Sequence, residues 1–134
     1  MQKIIKAINE YKPTCEQEEV DKKLFLQVAE TIPNSLTRES TLVHFTTSAF
    51  VINKQKTKLV SAWHNIYKSW AWLGGHNDGD DDFLRVVLKE IQEESGLKNI
   101  KPFTDGIFAI ESLCVLPHTR KGAFVPAHIH LNAT

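Results

Sequence analysis

Three glutamates lie close together on one predicted helix and limit what this chain can fold into. Residues 75–97 include a helical pattern on which Glu90, Glu93 and Glu94 fall within an arc of about 100°, at about 100° per residue. The neighbouring arc carries the stripe predicted to face a core: Leu84, Val87, Leu88 and Ile91. Two carboxylates about 5 Å apart repel by about 3 kcal/mol at an effective dielectric of about 20. The spacing therefore predicts a site for a hard divalent cation, which neutralises clustered carboxylates.

The residues on either side of this helix predict a loop, a helix and a second loop. Gly74 and Gly75 let the backbone turn sharply and approach a ligand closely. The acidic run 78–82 offers N-cap residues and negative charge at the helix start. Gly96 is typical of the residue that ends a helix. The carboxylates are thus predicted to lie on the rigid middle piece.

The same stretch resembles the Nudix box, G-x5-E-x7-R-E-U-x-E-E-x-G-U, where U is aliphatic. All nine fixed positions align without a gap between Gly75 and Leu97. Two of them differ conservatively, because Asp81 replaces the first glutamate and Lys89 replaces the arginine. The other positions match outright: Gly75, Glu90, Ile91, Glu93, Glu94, Gly96 and Leu97. The resemblance to the Nudix hydrolase family covers the chain from about residue 41 to its end.

This resemblance implies a metal-dependent hydrolase that cleaves a diphosphate linkage in a nucleoside diphosphate derivative or a similar small phosphorylated metabolite. Glu90, Glu93 and Glu94 would be the catalytic residues and the ligands of Mg²⁺ or Mn²⁺, with the Gly75 carbonyl as a further ligand. The bound metal would lower the pKa of an attacking water. Glu94 is the first choice for the carboxylate that takes the proton from that water.

Two further roles follow from the family pattern. Many members use a base from a loop outside the box, and the nearby downstream candidates are Asp105 and Glu111. In the family, the residues at the positions of Asp81 and Lys89 brace the loop against the helix, so we expect these two side chains to form an ion pair. An ammonium lacks the bidentate geometry of a guanidinium.

Three histidines are candidates for substrate contacts. His76 directly follows the glycine pair, which predicts a position near phosphate, although a surface position is equally compatible with the sequence. His128 and His130 alternate on a predicted strand and therefore point the same way. We considered a zinc pair, but the sequence shows no third ligand at a suitable spacing. The alternative is a strand facing the substrate site, or simply half-exposed histidines.

The aromatic residues around the predicted strands are expected mainly in the core. This expectation covers one group of tryptophans and one of phenylalanines: Trp63, Trp70 and Trp72, and Phe45, Phe50 and Phe108. For the tryptophans, a stacking wall against a base or another ring is the alternative. Arg120 and Lys121 lie in a predicted basic loop over residues 118–123. The sequence is equally compatible with a role in phosphate contact and with a role in solubility only.

Length and composition limit the chain further. With 134 residues, 42% of them apolar, it can bury one core and hardly two. Sixteen basic residues balance sixteen acidic ones, which argues against a general nucleic-acid or membrane surface. Cys15 and Cys114 form no CxxC pair and predict no disulfide framework. No stretch is typical of a signal peptide or a spanning helix, so the cytoplasm is the expected compartment.

Along the chain, we expect a helical extension over residues 1–40, helical up to Glu30, and a Nudix domain over residues 41–134. Thr41–Ile52 and Lys58–His64 are predicted to form a hairpin, with an extended piece at Trp70–Leu73. Residues 106–116 and 127–134 are predicted as later strands. This order fits the α/β class, and by resemblance an α/β/α sandwich with a mixed β-sheet.

Family members usually continue beyond the last predicted strand with further strands and a covering helix. We therefore expect that the C-terminal part of the domain is missing, or that another chain completes it. The strand at Val125–Thr134 would then have an open outer edge, with Ile129 and Leu131 partly exposed. Open edges pair with other chains, so a homo-oligomer formed through this edge is a further expectation.

Two other functions fit the same residues. One is a non-catalytic Nudix module that binds a nucleotide or phosphorylated metabolite, favoured by the two departures from the box. The other is an isomerase of the isopentenyl diphosphate type, which shares the fold and needs a catalytic cysteine and histidine metal ligands. Cys114 is the only cysteine after the box. The sequence does not name the substrate, because family specificity depends on loops outside the box.

Overall fold

The computed structural model describes residues 1–65, 67–104 and 106–134. Along these residues, two helices are followed by six strands, a third helix and four further strands. The helices in these residues are α1 (Gln2–Glu10), α2 (Glu16–Thr31) and α3 (Phe83–Ser95). The strands are β1 (Val43–Ala49), β2 (Val51–Ile52), β3 (Leu59–Val60), β4 (Ala62–His64), β5 (Ser69–Ala71), β6 (Leu73–His76), β7 (Ile110–Val115), β8 (His118–Arg120), β9 (Ala123–Val125) and β10 (His128–Ala133). The predicted α/β class is confirmed at this level.

A four-stranded mixed sheet organises the molecule, with strand order β6-β1-β10-β7. β1 and β10 run parallel, whereas β6 and β7 are antiparallel to their neighbours. The other strands form the hairpins β2–β3, β4–β5 and β8–β9. The first of these is the predicted hairpin after Thr41, although its strands are short. The predicted basic loop over residues 118–123 is instead part of the β8–β9 hairpin.

The last strand is not an open edge, which corrects our expectation for residues 125–134. β10 pairs with β1 on one side and with β7 on the other, and Leu131 is fully buried. Ile129 is more exposed, at 37%. The edges of the sheet are β6 and β7. The proposed route to a homo-oligomer through β10 is therefore wrong, and association of copies by another route stays a prediction.

The three helices pack on one face of this sheet. Side chains alternate along β1, and Phe45 projects toward the helices, with its ring centroid 5.7 Å from Phe25 of α2 and 6.2 Å from Phe83 of α3. Ile4 and Ile8 of α1 join the same buried cluster. The helical segment predicted for residues 1–40 thus shares its core with the sheet. The predicted sandwich has helices on both faces, whereas the described helices cover only one.

The N-terminal segment, predicted to be helical up to Glu30, forms two helices. α1 ends at Glu10, and α2 begins at Glu16 after a segment that contains Pro13. Proline lacks the backbone donor of a helix interior and disfavours helical geometry in the residue before it. The break lets the two helices pack against each other.

The helix that carries the glutamates has the ends that the sequence predicted. Asp82 is its N-cap and accepts a hydrogen bond from the backbone of Arg85 at 3.2 Å. Gly96 ends it in the left-handed conformation, with φ of 71°. The buried face is rotated from the predicted stripe, because Leu84 is half exposed. The residues buried along α3 are Phe83, Val86, Val87 and Ile91.

Most of the aromatic residues expected in the core lie at the surface. Of the predicted phenylalanines only Phe45 is fully buried, and the others are exposed: Phe50 and Phe108. The three tryptophans are also exposed: Trp63, Trp70 and Trp72. Trp63 and Trp70 pair across the β4–β5 hairpin with ring centroids 5.6 Å apart. Trp63 and Trp70 thus pack against each other on a separate two-stranded hairpin and not in the main core.

Candidate functional site

The glycine pair in β6 and the glutamates of α3 meet in the structure. A Cβ atom on Gly75 would overlap the carboxylate of Glu90, so only glycine leaves room for that group. The Glu94 carboxylate accepts a hydrogen bond from the backbone N–H of Gly74 at 3.1 Å. Two of the three glutamates predicted as metal ligands, Glu90 and Glu94, therefore lie against the glycine pair.

The third glutamate points elsewhere. Glu93 is exposed, and its Oε1 lies 3.7 Å from Nζ of Lys89, one helical turn earlier. Within the described residues, the three carboxylates do not close into a tight three-ligand group. Glu93 would have to leave Lys89 and rotate toward Glu90 to complete the predicted set.

The electrostatics at this site favour a cation. Burial raises the pKa of Glu90, and the nearby charges of Glu93 and Glu94 raise it further, whereas Lys89 lowers it. Carboxylate and carbonyl oxygens are the ligands that Mg²⁺ and Mn²⁺ prefer. Glu90 and Glu94 therefore offer ligands of the kind that such an ion binds, and an ion there would also relieve the repulsion that adds to the raised pKa of Glu90.

The expected ion pair between Asp81 and Lys89 is wrong. The Asp81 carboxylate accepts a hydrogen bond from the amino group of Met1 at 2.6 Å, because the start of α1 lies beside the start of α3. Lys89 contacts Glu93 instead, since residues four apart on a helix are neighbours. The two residues thus have separate partners.

A different pair braces the loop against the helix. Arg85 donates two hydrogen bonds to Asp80, from Nε at 2.7 Å and from Nη2 at 2.6 Å. The side chain of Asn77 donates to the Asp80 carbonyl at 2.9 Å. The bidentate pair holds the pKa of Asp80 below its usual range. Sequence reasoning missed this pair because several aspartates lie close enough to Arg85 in sequence to be its partner.

Four histidines form a second cluster, which we call the histidine cluster: His44, His76, His128 and His130. His128 and His130 project from one face of β10 as predicted, with their Nε2 atoms 3.1 Å apart. His44 of β1 is the register partner of His130. The view that no third ligand is available is therefore wrong. Sequence spacing did not reveal the further ligands, because His44 and His76 come from other strands.

Burial keeps three rings of this cluster uncharged, those of His44, His76 and His130. It is the main cause that lowers the pKa of His76 and of His130 to about 3. The positive charge of Arg38 lowers the pKa of His76 further. The neighbouring imidazole of His76 lowers the pKa of His130 further. Burial also lowers the pKa of His44. These imidazoles are neutral at pH 7, and each offers one nitrogen lone pair.

The histidine cluster forms one wall of a cavity of about 510 Å³. Three basic side chains also line it, namely Arg38, Arg120 and Lys121. Arg38 donates two hydrogen bonds to Asp78, from Nε at 3.0 Å and from Nη2 at 2.8 Å. The cavity therefore combines neutral nitrogen ligands with cations that suit an anionic group.

The glutamates and the histidine cluster lie on opposite faces of β6. Glu90 occupies the side toward which a Gly75 side chain would project, and the next residue, His76, projects to the other side. None of the described glutamates of α3 lines the histidine cavity. The predicted metal ligands and the predicted substrate contacts are thus two groups, separated by the sheet.

The remaining catalytic candidates do not join the glutamates. Asp105 lies outside the described residues. Glu111 is on β7, at the opposite edge of the sheet from β6, and accepts a hydrogen bond from Asn132 at 3.1 Å. Cys114 is an exposed free thiol whose register partner is Ile129, so it projects away from the histidine face. This position gives no support to the isomerase alternative.

Comparison with known proteins adds no family assignment. No protein-family model matches the chain, and no curated protein matches it either. Among the described residues, no helix has the length and apolar character needed to cross a membrane.

Proposed function

We propose that this protein is a Nudix-type hydrolase that cleaves a diphosphate linkage in a nucleoside diphosphate derivative or a similar small phosphorylated metabolite. The contact between the carboxylate of Glu90 and Gly75 carries this proposal. It supports the Nudix resemblance in three dimensions, because it joins the first residue of the box to a glutamate fifteen positions later. The hydrogen bond from Gly74 to Glu94 supports it independently.

In the proposed enzyme, Glu90, Glu94 and the Gly75 carbonyl hold the divalent ion, and Glu93 joins them after leaving Lys89. A bound Mg²⁺ would neutralise charge on the phosphate oxygens and lower the pKa of an attacking water. Glu94 is exposed and accepts one hydrogen bond from the backbone, so its carboxylate has further acceptor positions. It is our choice for the group that receives the proton.

Product analysis with Mg²⁺ tests this proposal. The protein is incubated with nucleoside diphosphate derivatives, dinucleoside polyphosphates and non-nucleotide diphosphates, and the products are separated chromatographically. We expect two phosphate-bearing products from at least one class. Glu94→Gln should lower the rate by at least about 100-fold, as expected for loss of a general base. Glu30→Gln, an exposed change on α2, is the matched control and should leave the rate unchanged. An equal rate in both variants would contradict the role of Glu94.

A non-catalytic binding module is the second candidate. The observation in its favour is the separation of the basic cavity from the glutamates by the sheet. A phosphorylated ligand held by Arg120 and Lys121 would then lie away from the carboxylates. Calorimetry distinguishes the two functions: a module should bind a phosphorylated nucleotide without turnover, and Arg120→Ala should weaken that binding while Glu94→Gln should not.

A further inference from the structure

We propose that His44, His76 and His130 form a second metal site, for a transition-metal ion of the Zn²⁺ class, on the sheet face opposite the glutamates. Imidazole nitrogen is a preferred ligand of Zn²⁺ and a poor one for Mg²⁺. The proposal does not depend on the glutamate site, because it uses none of the carboxylates assigned to the diphosphate reaction. Its support comes from the backbone register, the ligand spacing and the hydrogen bonds around the rings.

The sheet itself brings these ligands together. His44 and His130 are direct partners on the parallel strands β1 and β10. His76 pairs with Thr46, two residues from His44, and thus projects from the same face as a diagonal neighbour. The ring centroids of the three histidines lie 4.8 to 5.1 Å apart. Three hydrogen-bonded strands hold the rings, so the site needs no ordering of a loop.

The ligand atoms are close enough for one ion. One nitrogen from each ring lies within 4.8 Å of the other two. A tetrahedral Zn²⁺ with bonds of about 2.1 Å separates its nitrogen ligands by about 3.4 Å. The nitrogens therefore need to approach one another by no more than about 1.4 Å, which small side-chain rotations supply.

His44 has the hydrogen bonding typical of a metal ligand. Its Nδ1 lies 3.0 Å from the carbonyl of Ser40, which makes Nδ1 the donor and leaves the lone pair on Nε2. That Nε2 atom is buried and has no hydrogen-bond partner within the described part of the chain. Metal-bound histidines usually donate their second nitrogen to a carbonyl or carboxylate. An ion in the cluster would satisfy the buried lone pair.

His128 orients the ring of His130 through a hydrogen bond. Its Nδ1 lies 2.8 Å from the carbonyl of Pro126, so its Nε2 is an acceptor. The Nε2 of His130 lies 3.1 Å from that acceptor and donates to it. In this tautomer the lone pair of His130 is on Nδ1 and is not used by His128. We therefore assign His128 as a positioning residue.

The charges around the cavity permit a cation there. Arg38 is paired with Asp78 through two hydrogen bonds, which offsets its charge. Arg120 and Lys121 are exposed on the β8–β9 hairpin, where water and salt screen them. The cavity provides the entry path.

Calorimetric titration of the full chain with Zn²⁺, after removal of metals by a chelator, tests the proposal. We expect one Zn²⁺ per chain. His76→Gln and His130→Gln should each weaken binding by at least tenfold, because each removes a ligand. His64→Gln is the matched control, since it lines the same cavity, and its Nδ1 accepts a hydrogen bond from the backbone of Tyr67 at 3.2 Å. Equal affinity in the wild type and both ligand variants would overturn the site.

Two further measurements separate this site from the glutamates and from misfolding. Glu90→Gln should leave Zn²⁺ affinity unchanged, and excess Mg²⁺ should not compete; loss of Zn²⁺ binding in that variant would overturn the proposal. X-ray absorption of the Zn²⁺-loaded wild type requires no variant to fold. It should show imidazole ligands, and a shell made only of oxygen would overturn the site.

Discussion

The carboxylate of Glu90 occupies the space into which a side chain at Gly75 would project. A Cβ atom at residue 75 would force the Glu90 side chain to move. The contact joins the first residue of the predicted motif to a glutamate fifteen positions later, and it gives the glycine a packing role beside its conformational one.

Gly75→Ala should therefore destabilise the protein by about 1 to 3 kcal/mol, because the added methyl group overpacks the contact with Glu90. Urea unfolding at pH 7 measures the change. Adding Glu90→Ala to the same variant should recover part of the loss, since it removes the overlapping carboxylate. If the two changes are simply additive, the contact is not the cause.

Millimolar Mg²⁺ or Mn²⁺ should raise the melting temperature, because a ligand that binds only the native state stabilises it. At an ion concentration about 100 times Kd, the gain is about 2.7 kcal/mol. Glu93→Gln and Glu94→Gln should each reduce this gain, whereas Glu30→Gln should not. A wild type whose melting temperature is unaffected by either ion would refute the carboxylate site.

Arg85→Lys should lower stability more than Lys89→Ala does. Arg85 holds Asp80 with two hydrogen bonds, and an ammonium cannot reproduce that geometry. Lys89 makes only an exposed contact of 3.7 Å with Glu93.

The pKa of Asp80 is lowered in the folded state, so the contribution of Asp80 to stability is present above about pH 4 and is lost as pH falls through the folded pKa. Urea midpoints at pH 7 and about pH 2.5 should therefore differ less in Arg85→Lys than in the wild type.

Without bound metal, the protein should lose stability as pH falls below about 6.5. His76 and His130 have folded pKa values of about 3, lowered mainly by burial, so below 6.5 the unfolded chain binds more protons than the folded one. Each ring should contribute a loss of about 1 kcal/mol between pH 7.5 and 5.5, after allowance for solvent screening. Urea midpoints measured with a chelator present test this. His76→Gln should flatten the pH dependence, and an unchanged slope would mean that His76 does not titrate this way.

Local sequence patterns predicted several elements correctly. The acidic N-cap and the glycine stop of α3, at Asp82 and Gly96, depend only on residues within one helical turn. The alternation that predicts β10 and the turn residues between β2 and β3 are also local features of the sequence. In these segments the backbone hydrogen bonds and the side chains that direct them are neighbours in sequence.

Only the tertiary structure decided which residues meet across the sheet. The histidine pair of β10 gained His44 and His76 because β1 lies beside β10, and β6 beside β1. The same strand order made β10 an inner strand. The partner of Asp81 also depended on long-range packing, since the start of α1 reaches the start of α3. Such contacts join residues between 32 positions apart (His44 and His76) and 86 positions apart (His44 and His130). The sequence spacing of a motif carries no information about them, because strand order and helix packing determine them.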